Sequence, residues 1–129
     1  MQVRRLMSAP ARTVSEHASL AEALQMMRAG RLHHLPVVRD GSVVGVLSER
    51  DFQMRLHPDS PRVLTGCVRE AMTAAVHAVT PSASLEEAAA MLLANEIGCV
   101  PVIEEGALVG ILTTRDVLQH IARRRRARA

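Results

Sequence analysis

The chain repeats itself. When its 129 residues are slid along themselves so that Met7 falls on Met72, the register holds without a gap until Asp51 falls on Asp116. The identities include Ser19 and Ser84, Leu20 and Leu85, Glu22 and Glu87, Pro36 and Pro101, Val37 and Val102, Gly41 and Gly106, Gly45 and Gly110, and Arg50-Asp51 and Arg115-Asp116. Many of these are caps, turns and points of close approach, where backbone geometry narrows the choice of residue. A chain of this length must therefore be built from two copies of one supersecondary unit, neither of which buries much surface alone.

Each copy reads as the same series of elements. An extended segment around Thr13-Val14 or Ala78-Val79 leads into a helix whose start carries a capping box, Ser19-x-x-Glu22 or Ser84-x-x-Glu87, in which hydroxyl and carboxylate satisfy free backbone N–H groups. Apolar residues then recur at three- and four-residue spacing, Leu20, Ala23, Leu24 and Met27 in one copy, Leu85, Ala88, Ala89 and Leu92 in the other. Met26, Met27, Met91 and Leu92 on these helices read as core or dimer contacts. Two short apolar runs follow, 35–38 and 43–47 or 100–103 and 108–112, separated by Asp40-Gly41 or Glu105-Gly106, which is the pattern of a hairpin. The returning strands are apolar almost throughout, so both sheet faces should be covered. A second helix starts at Ser48 or Thr113, giving β-α-β-β-α twice. The expected fold is α+β, with two such repeats packed sheet to sheet about a pseudo-two-fold axis. Repeat 1 spans 1–55, a connector rich in Pro, Asp, Ser and Gly spans 56–66, repeat 2 spans 67–121 and a basic tail spans 122–129.

Composition removes several alternatives. The chain is 48% apolar with a single aromatic, Phe52, so its interior must be packed by aliphatic side chains. Cys67 and Cys99 make no zinc or redox spacing, which favours a reducing compartment. The basic start Met1-Gln2-Val3-Arg4-Arg5 has no apolar stretch behind it, and the longest apolar run, 88–94, is far too short for a membrane span; a cytoplasmic protein is expected. Five of the sixteen basic residues lie in the tail, as Arg123, Arg124, Arg125, Arg126 and Arg128, and the remaining eleven face thirteen acids, so the basicity belongs to the tail.

The segments Gly45-Val46-Leu47-Ser48-Glu49-Arg50-Asp51 and Gly110-Ile111-Leu112-Thr113-Thr114-Arg115-Asp116 resemble the Gly-x-x-Ser/Thr-x-x-Asp signature of CBS (cystathionine-β-synthase) domains, and the Pro36-Val37 and Pro101-Val102 strands resemble that family too. With the capping boxes and hairpin turns in register, the resemblance covers all but the connector and the tail. It identifies the chain as a tandem CBS pair, a Bateman module, of the stand-alone bacterial type. The resemblance implies a regulatory, non-catalytic module that binds AMP, ADP, ATP or S-adenosylmethionine in clefts between the repeats, needs no obligatory cofactor and associates as a homodimer. With no effector domain fused, the signal should pass to another chain.

The resemblance also implies roles for residues. Asp51 and Asp116 would take ribose hydroxyls, and Ser48 and Thr113 would meet ribose or phosphate. The chemistry agrees: a carboxylate accepts two hydrogen bonds from a vicinal diol, and a helix N-terminus offers N–H groups to phosphate. Gly45 and Gly110 would allow close approach just before the helix. His33 and His34 lie where adenylate-binding members carry basic phosphate contacts, while copy 2 has Gly98-Cys99, so the copies are chemically unequal. In the family pattern such residues serve the nucleotide held by the partner copy, which here would be that of Thr113 and Asp116. Val14, Pro36, Val79, Cys99 and Pro101 would line the adenine.

Other readings stand beside these. Ser/Thr-x-x-Asp is also close to a capping box that binds nothing. His33-His34 also reads as a solvent-facing pair after a helix stop at Gly30, and Arg50 and Arg115, before the signature Asp, read either as reaching a ligand phosphate or as surface pairing partners. The six histidines show no metal-ligand spacing, and no nucleophile, P-loop or dinucleotide motif occurs, so neither a metal site nor an enzyme is expected. The alternative function is a nucleic-acid-associated protein working through the arginine tail; the lack of Trp and Tyr argues against base stacking.

Overall fold

A computed structural model describes residues 1–53, 56–57 and 60–128. Helices and strands alternate as an α+β fold, and the chain divides into two compact units: unit 1 holds 1–11 with 77–129, and unit 2 holds 12–76.

In unit 2, β1 (Val14–Ser15) leads into α1 (Leu20–Gly30), followed by the hairpin β2 (His34–Arg39) and β3 (Ser42–Ser48), then α2 (Glu49–Gln53). Strand β1 pairs parallel with β2, Val14 opposite Val37, and β2 pairs antiparallel with β3. The connector region carries an antiparallel pair, β4 (Leu56–His57) and β5 (Ser60–Leu64), and then α3 (Val68–Ala71). Pro58 and Asp59 of the connector lie outside the described residues.

Unit 1 repeats the plan with α4 (Leu85–Ala94), β6 (Cys99–Glu104), β7 (Ala107–Thr113) and α5 (Thr114–Arg128). Val79 bridges Val102 in parallel, as Val14 does Val37. The segment expected as a separate basic tail continues α5 as helix to Arg128. Arginines suit a helix C-terminus, where their charge meets the negative end of the helix dipole.

The units trade leading segments. Residues 1–11 pack on the second copy, with Val3 N–H donating to Ala83 O (2.9 Å), and Ser8 and Ile111 exchanging N–H···O bonds of 2.9 and 3.0 Å. Residues 66–76 do the same for the first copy, where Val68 N–H donates to Ala18 O (2.9 Å) and Thr73 and Val46 exchange two bonds of 3.0 Å. Val3 and Val68 are fully buried at equivalent places. This exchange decides two glycines. A Cβ on Gly45 would stand 2.8 Å from Thr73 O, and one on Gly110 2.9 Å from Ser8 O, each with a methionine sulfur at 2.7 Å. The close approach expected at these glycines is thus made by the chain's own backbone.

Local chemistry explains the elements. Asp40, Gly41, Glu105 and Gly106 all have positive φ, from 50 to 81°, which two-residue hairpin turns of the primed type require. Helices α1 and α4 start as expected on Ser19 and Ser84, whose hydroxyls accept from Glu22 N–H (3.1 Å) and Glu87 N–H (3.0 Å). The reciprocal carboxylate bonds do not form. The N–H groups one residue further on, those of Leu20 and Leu85, donate to Gly66 O and Met1 O, supplied by the traded segments. The left-handed residue that ends α1 is Arg31 (φ 53°) rather than Gly30, matched by Glu96 (φ 51°) after α4.

Each unit has its own aliphatic core. Leu20, Ala23, Met27, Leu35, Val37 and Leu47 centre one, and Ala88, Leu92, Val100, Val102 and Leu112 the other. Met26 and Met91 pack partly buried against them. The returning strands are covered unequally, contrary to the expectation of two covered faces. Gly45, Leu47, Gly110 and Leu112 are buried, whereas the alternate positions Val44, Val46, Val109 and Ile111 are half-buried.

Candidate functional site

Ser48 and Thr113 are the last residues of β3 and β7, and the following helix begins one residue later. The chain turns there from strand to helix, so the first helical N–H groups are without intrahelical partners. Asp51 closes this turn: its Oδ2 accepts from Ser48 N–H at 2.7 Å and from Ser48 Oγ–H at 3.2 Å. Asp116 does the same for Thr113 N–H at 2.8 Å, and Asp116 N–H donates to Thr113 Oγ1 at 3.2 Å. The near-capping-box reading of the signature is therefore physically real. It occupies one oxygen of each carboxylate. Among the described residues neither Oδ1 has a hydrogen-bond partner, and both side chains are half-buried, so each copy presents a fixed anionic acceptor at the head of its second helix.

The hairpin brings the paired positions opposite the signature. His34 lies across from Ser48, and Cys99 across from Thr113, because a one-residue bulge after Val37 or Val102 shifts the ladder. Glu49 N–H donates to His33 O at 3.1 Å, and Glu49 Oε1 stands 3.0 Å from His33 Nδ1. In copy 2, Thr114 N–H and Oγ1–H both donate to Gly98 O, at 3.0 and 3.4 Å. Burial lowers the pKa of His34 from its ordinary 6.5, and the neighbouring His33 adds to this, while Glu49 and Asp51 pull the other way. Cys99 is 3% exposed, and burial pushes its thiol up to about 12, so it is a neutral apolar filler. One copy thus sets two imidazoles and two carboxylates around its signature serine; the other sets none of these beyond Asp116 itself.

The residues expected around adenine are buried. Val14 and Val79 sit at the edges of their cores, and Pro36, Cys99 and Pro101 lie within β2 and β6. Arg50 and Arg115 are exposed and form no ion pair among the described residues. No group of three or more His, Cys, Asp or Glu among the described residues is placed to hold a metal ion. No helix among them is long and apolar enough to cross a membrane.

Two residues escaped the reading of the sequence. Glu49 becomes visible only once the bulge fixes which residue faces His33. Glu16 is 1% exposed, with Oε1 3.5 Å from His17 Nε2 and 3.6 Å from Arg39, and with Oε2 buried without a partner. Its counterpart in copy 2 is Pro81, and that replacement of proline by an acid was the available signal.

A strand–turn–helix signature of this geometry, present twice on one duplicated α+β plan, defines a class. A model of the CBS domain matches residues 3–57 and 68–123, and the chain belongs to this family. It is similar to Hypoxic response protein 1 of Mycobacterium tuberculosis (strain ATCC 25618 / H37Rv), 30% identical over 92% of this chain and 83% of that one. It is also 29% identical to the A-adding tRNA nucleotidyltransferase of Aquifex aeolicus, over 94% of this chain but 14% of the enzyme. Among solved structures, that of CBSX2 in complex with AMP superposes with a TM-score of 0.81 at 26% identity, over 95% of this chain and 97% of that one. The CBS domain pair of MJ0100, in complex with 5-methylthioadenosine and S-adenosyl-L-methionine, gives 0.87 at 24% identity, over 96% and 98%.

Proposed function

We propose that this chain is a regulatory ligand-sensing module that binds an adenosine-containing nucleotide and performs no chemistry on it. The observation that carries the reading is the duplicated hydroxyl–carboxylate pair at the heads of α2 and α5, each carboxylate held by the same backbone N–H bond through Oδ2 and, among the described residues, with its Oδ1 unengaged. Asp51 and Asp116 accept the ribose hydroxyls. Ser48, Thr113 and the first-turn N–H groups meet ribose or phosphate. His33 and His34 add donors for phosphate in copy 1, and the buried Val14, Pro36, Val79, Cys99 and Pro101 form the apolar surroundings of the base. The AMP complex of the similar CBSX2 supports an adenylate as ligand.

The test is a thermal-shift panel of adenosine, AMP, ADP, ATP and S-adenosylmethionine against the purified chain. A ligand at a hundred times its dissociation constant stabilises the folded state by about 2.7 kcal/mol. At least one phosphorylated or sulfonium ligand should raise the melting temperature; a panel that leaves it unmoved at millimolar concentration overturns the reading. The proposal includes a homodimer, since Leu93, Leu118 and Ile121 are 80%, 61% and 57% exposed on the helices of unit 1.

A further inference from the structure

The arginine segment expected as a tail continues α5 as helix, and the way it leaves unit 1 sets it apart. The packed stripe of α5 is Asp116, Val117 and His120, half-buried at helical spacing. The next position on that stripe is Arg124, yet 121–125 are all exposed, and five consecutive residues span more than a full turn. Over 121–125, therefore, the helix stands clear of the body on every side. It carries Arg123, Arg124 and Arg125 there, and the sequence adds Arg126 and Arg128 before the helix ends. No acid lies within four residues of any of the five, and Arg123, Arg124 and Arg125 form no ion pair among the described residues. The acids of unit 1 lie elsewhere: Glu86 and Glu87 in the first turn of α4, Glu96 just past its end, Glu104 and Glu105 at the β6–β7 turn, and Asp116 in the first turn of α5. Apart from the five arginines, unit 1 sets only Arg4, Arg5 and Arg115 against these acids, so its positive field is confined to the end of α5. Spacing also places Arg123 one turn from Arg126, and Arg124 and Arg125 one turn from Arg128, like charges that repel until counter-charge is supplied.

We infer that the end of α5 docks on the phosphate backbone of duplex DNA, an activity separate from nucleotide binding at the signature turns. Arginines at the successive positions 123–126 go once around the helix, which fits a ligand with phosphates on both sides. The major groove is about 12 Å wide, is walled by two backbones and admits a helix about 10–12 Å across. A membrane surface offers charge on one side and needs an apolar face, but beyond Ile121 the apolar residues of the helix are alanines alone. Single strands need aromatic platforms, and the one aromatic residue of this chain, Phe52, is buried in the other unit. Arginine suits the task, since its planar guanidinium donates to two phosphate oxygens at once.

The test is fluorescence anisotropy of a labelled mixed-sequence duplex of about 20 base pairs, titrated with the full chain between about 50 and 200 mM salt. The parent should bind, with log affinity falling linearly against log salt. The triple variant Arg123→Gln, Arg124→Gln, Arg125→Gln keeps helix propensity while removing three charges. It should bind more than about tenfold more weakly at the lower salt and lower the salt slope by about 2.7. The triple variant with lysine at the same positions keeps the charge and should restore the parental slope. The thermal shift with AMP, read on the same chains, should be the same in parent and variants whatever its size, which separates this inference from the nucleotide reading. A parent that leaves the duplex unbound at the lower salt, a glutamine variant that binds as the parent does, or a single strand bound as tightly as the duplex overturns the inference. So does a loss of the AMP shift in step with the loss of duplex binding, since the arginines would then belong to the nucleotide site. Co-sedimentation with phosphatidylserine vesicles without duplex binding would overturn it in favour of a membrane surface.

Discussion

The two copies agree at caps, turn glycines and points of close approach, and differ at several side chains around the signature and at one buried acid. Capping serines, the turn glycines Gly41 and Gly106, strand prolines, the bulge and the close-contact glycines are shared. His33-His34 against Gly98-Cys99, Glu49 against Thr114, Glu16 against Pro81 and Arg31 against Glu96 are not. The shared set fixes two strand–helix turns of the same shape. The unshared set gives those turns different electrostatics.

The most damaging test of the shared set is Gly45→Ala beside Gly110→Ala. Each new methyl would meet a backbone carbonyl at 2.8 or 2.9 Å, and a carbonyl engaged in a strand bridge cannot step aside cheaply. Each variant should lose about 2–4 kcal/mol, seen as a lower denaturant midpoint. Exchange protection of the Ser8 and Ile111 amides should fall in Gly110→Ala, and that of Val46 and Thr73 in Gly45→Ala. If only one variant is damaged, the copies are not equivalent at the backbone.

The next effect concerns ligand. Asp51→Asn and Asp116→Asn keep an oxygen that accepts from Ser48 or Thr113 N–H, so the ligand-free protein should lose under about 1 kcal/mol. The anionic acceptor for the ribose is lost, and affinity at the altered site should drop about tenfold or more by calorimetry. Combining each with His34→Ala in a double-mutant cycle shows which carboxylate shares its ligand with the imidazole. The family pattern implies Asp116, whereas within unit 2 the imidazole stands beside Asp51. Unchanged affinities in both single variants would remove the assigned ribose contacts.

The repeat, the element order, the hairpin turns and the signature were legible because each is written in local backbone chemistry: a hydroxyl at an N-cap, positive φ after a strand, a carboxylate three residues past a hydroxyl. The trade of leading segments was not, since 1–11 and 66–76 read alike, with Val3-Arg4 and Met7 matching Val68-Arg69 and Met72, and either could serve either copy. Nor was the bulge. Without it His34 would face Leu47 rather than Ser48, and the contact between His33 and Glu49 could not be foreseen.

Glu16 separates the copies through stability rather than ligand. Arg39→Ala strands a carboxylate that is 2% exposed, leaving His17 as its remaining ionic neighbour. Because the guanidinium is 57% exposed and its attraction partly screened, the expected loss is about 1–2 kcal/mol, below that of a fully buried pair. Glu104→Ala, the equivalent change in copy 2, should stay within about 0.5 kcal/mol. Equal losses by urea unfolding would show that the buried acid draws nothing from Arg39.

The smallest expected effect is the dependence of stability on pH, and it isolates copy 1 most cleanly. His34 is held below its ordinary 6.5, first by burial and then by His33, against the opposing pull of Glu49 and Asp51. At pH values between the lowered value and 6.5 the unfolded chain binds more protons at this side chain than the folded one, so the slope of stability against pH is positive there. The contribution is fully present above pH 6.5 and is lost as the pH falls through the folded value, where the half-buried ring must take up a charge. His34→Gln removes the group, so the difference between parent and variant in denaturant midpoint should shift in the parent's disfavour on going from pH 7.5 to pH 5. Cys99, its counterpart, cannot contribute in this range, since its thiol ionises only at about 12, and Cys99→Ser should leave the pH profile parallel to the parent's. A His34→Gln profile parallel to the parent's would mean that the imidazole is as well solvated folded as unfolded. An increase in the parent's relative stability toward acid would mean that Glu49 and Asp51 outweigh burial, and that the ring enters the site already charged.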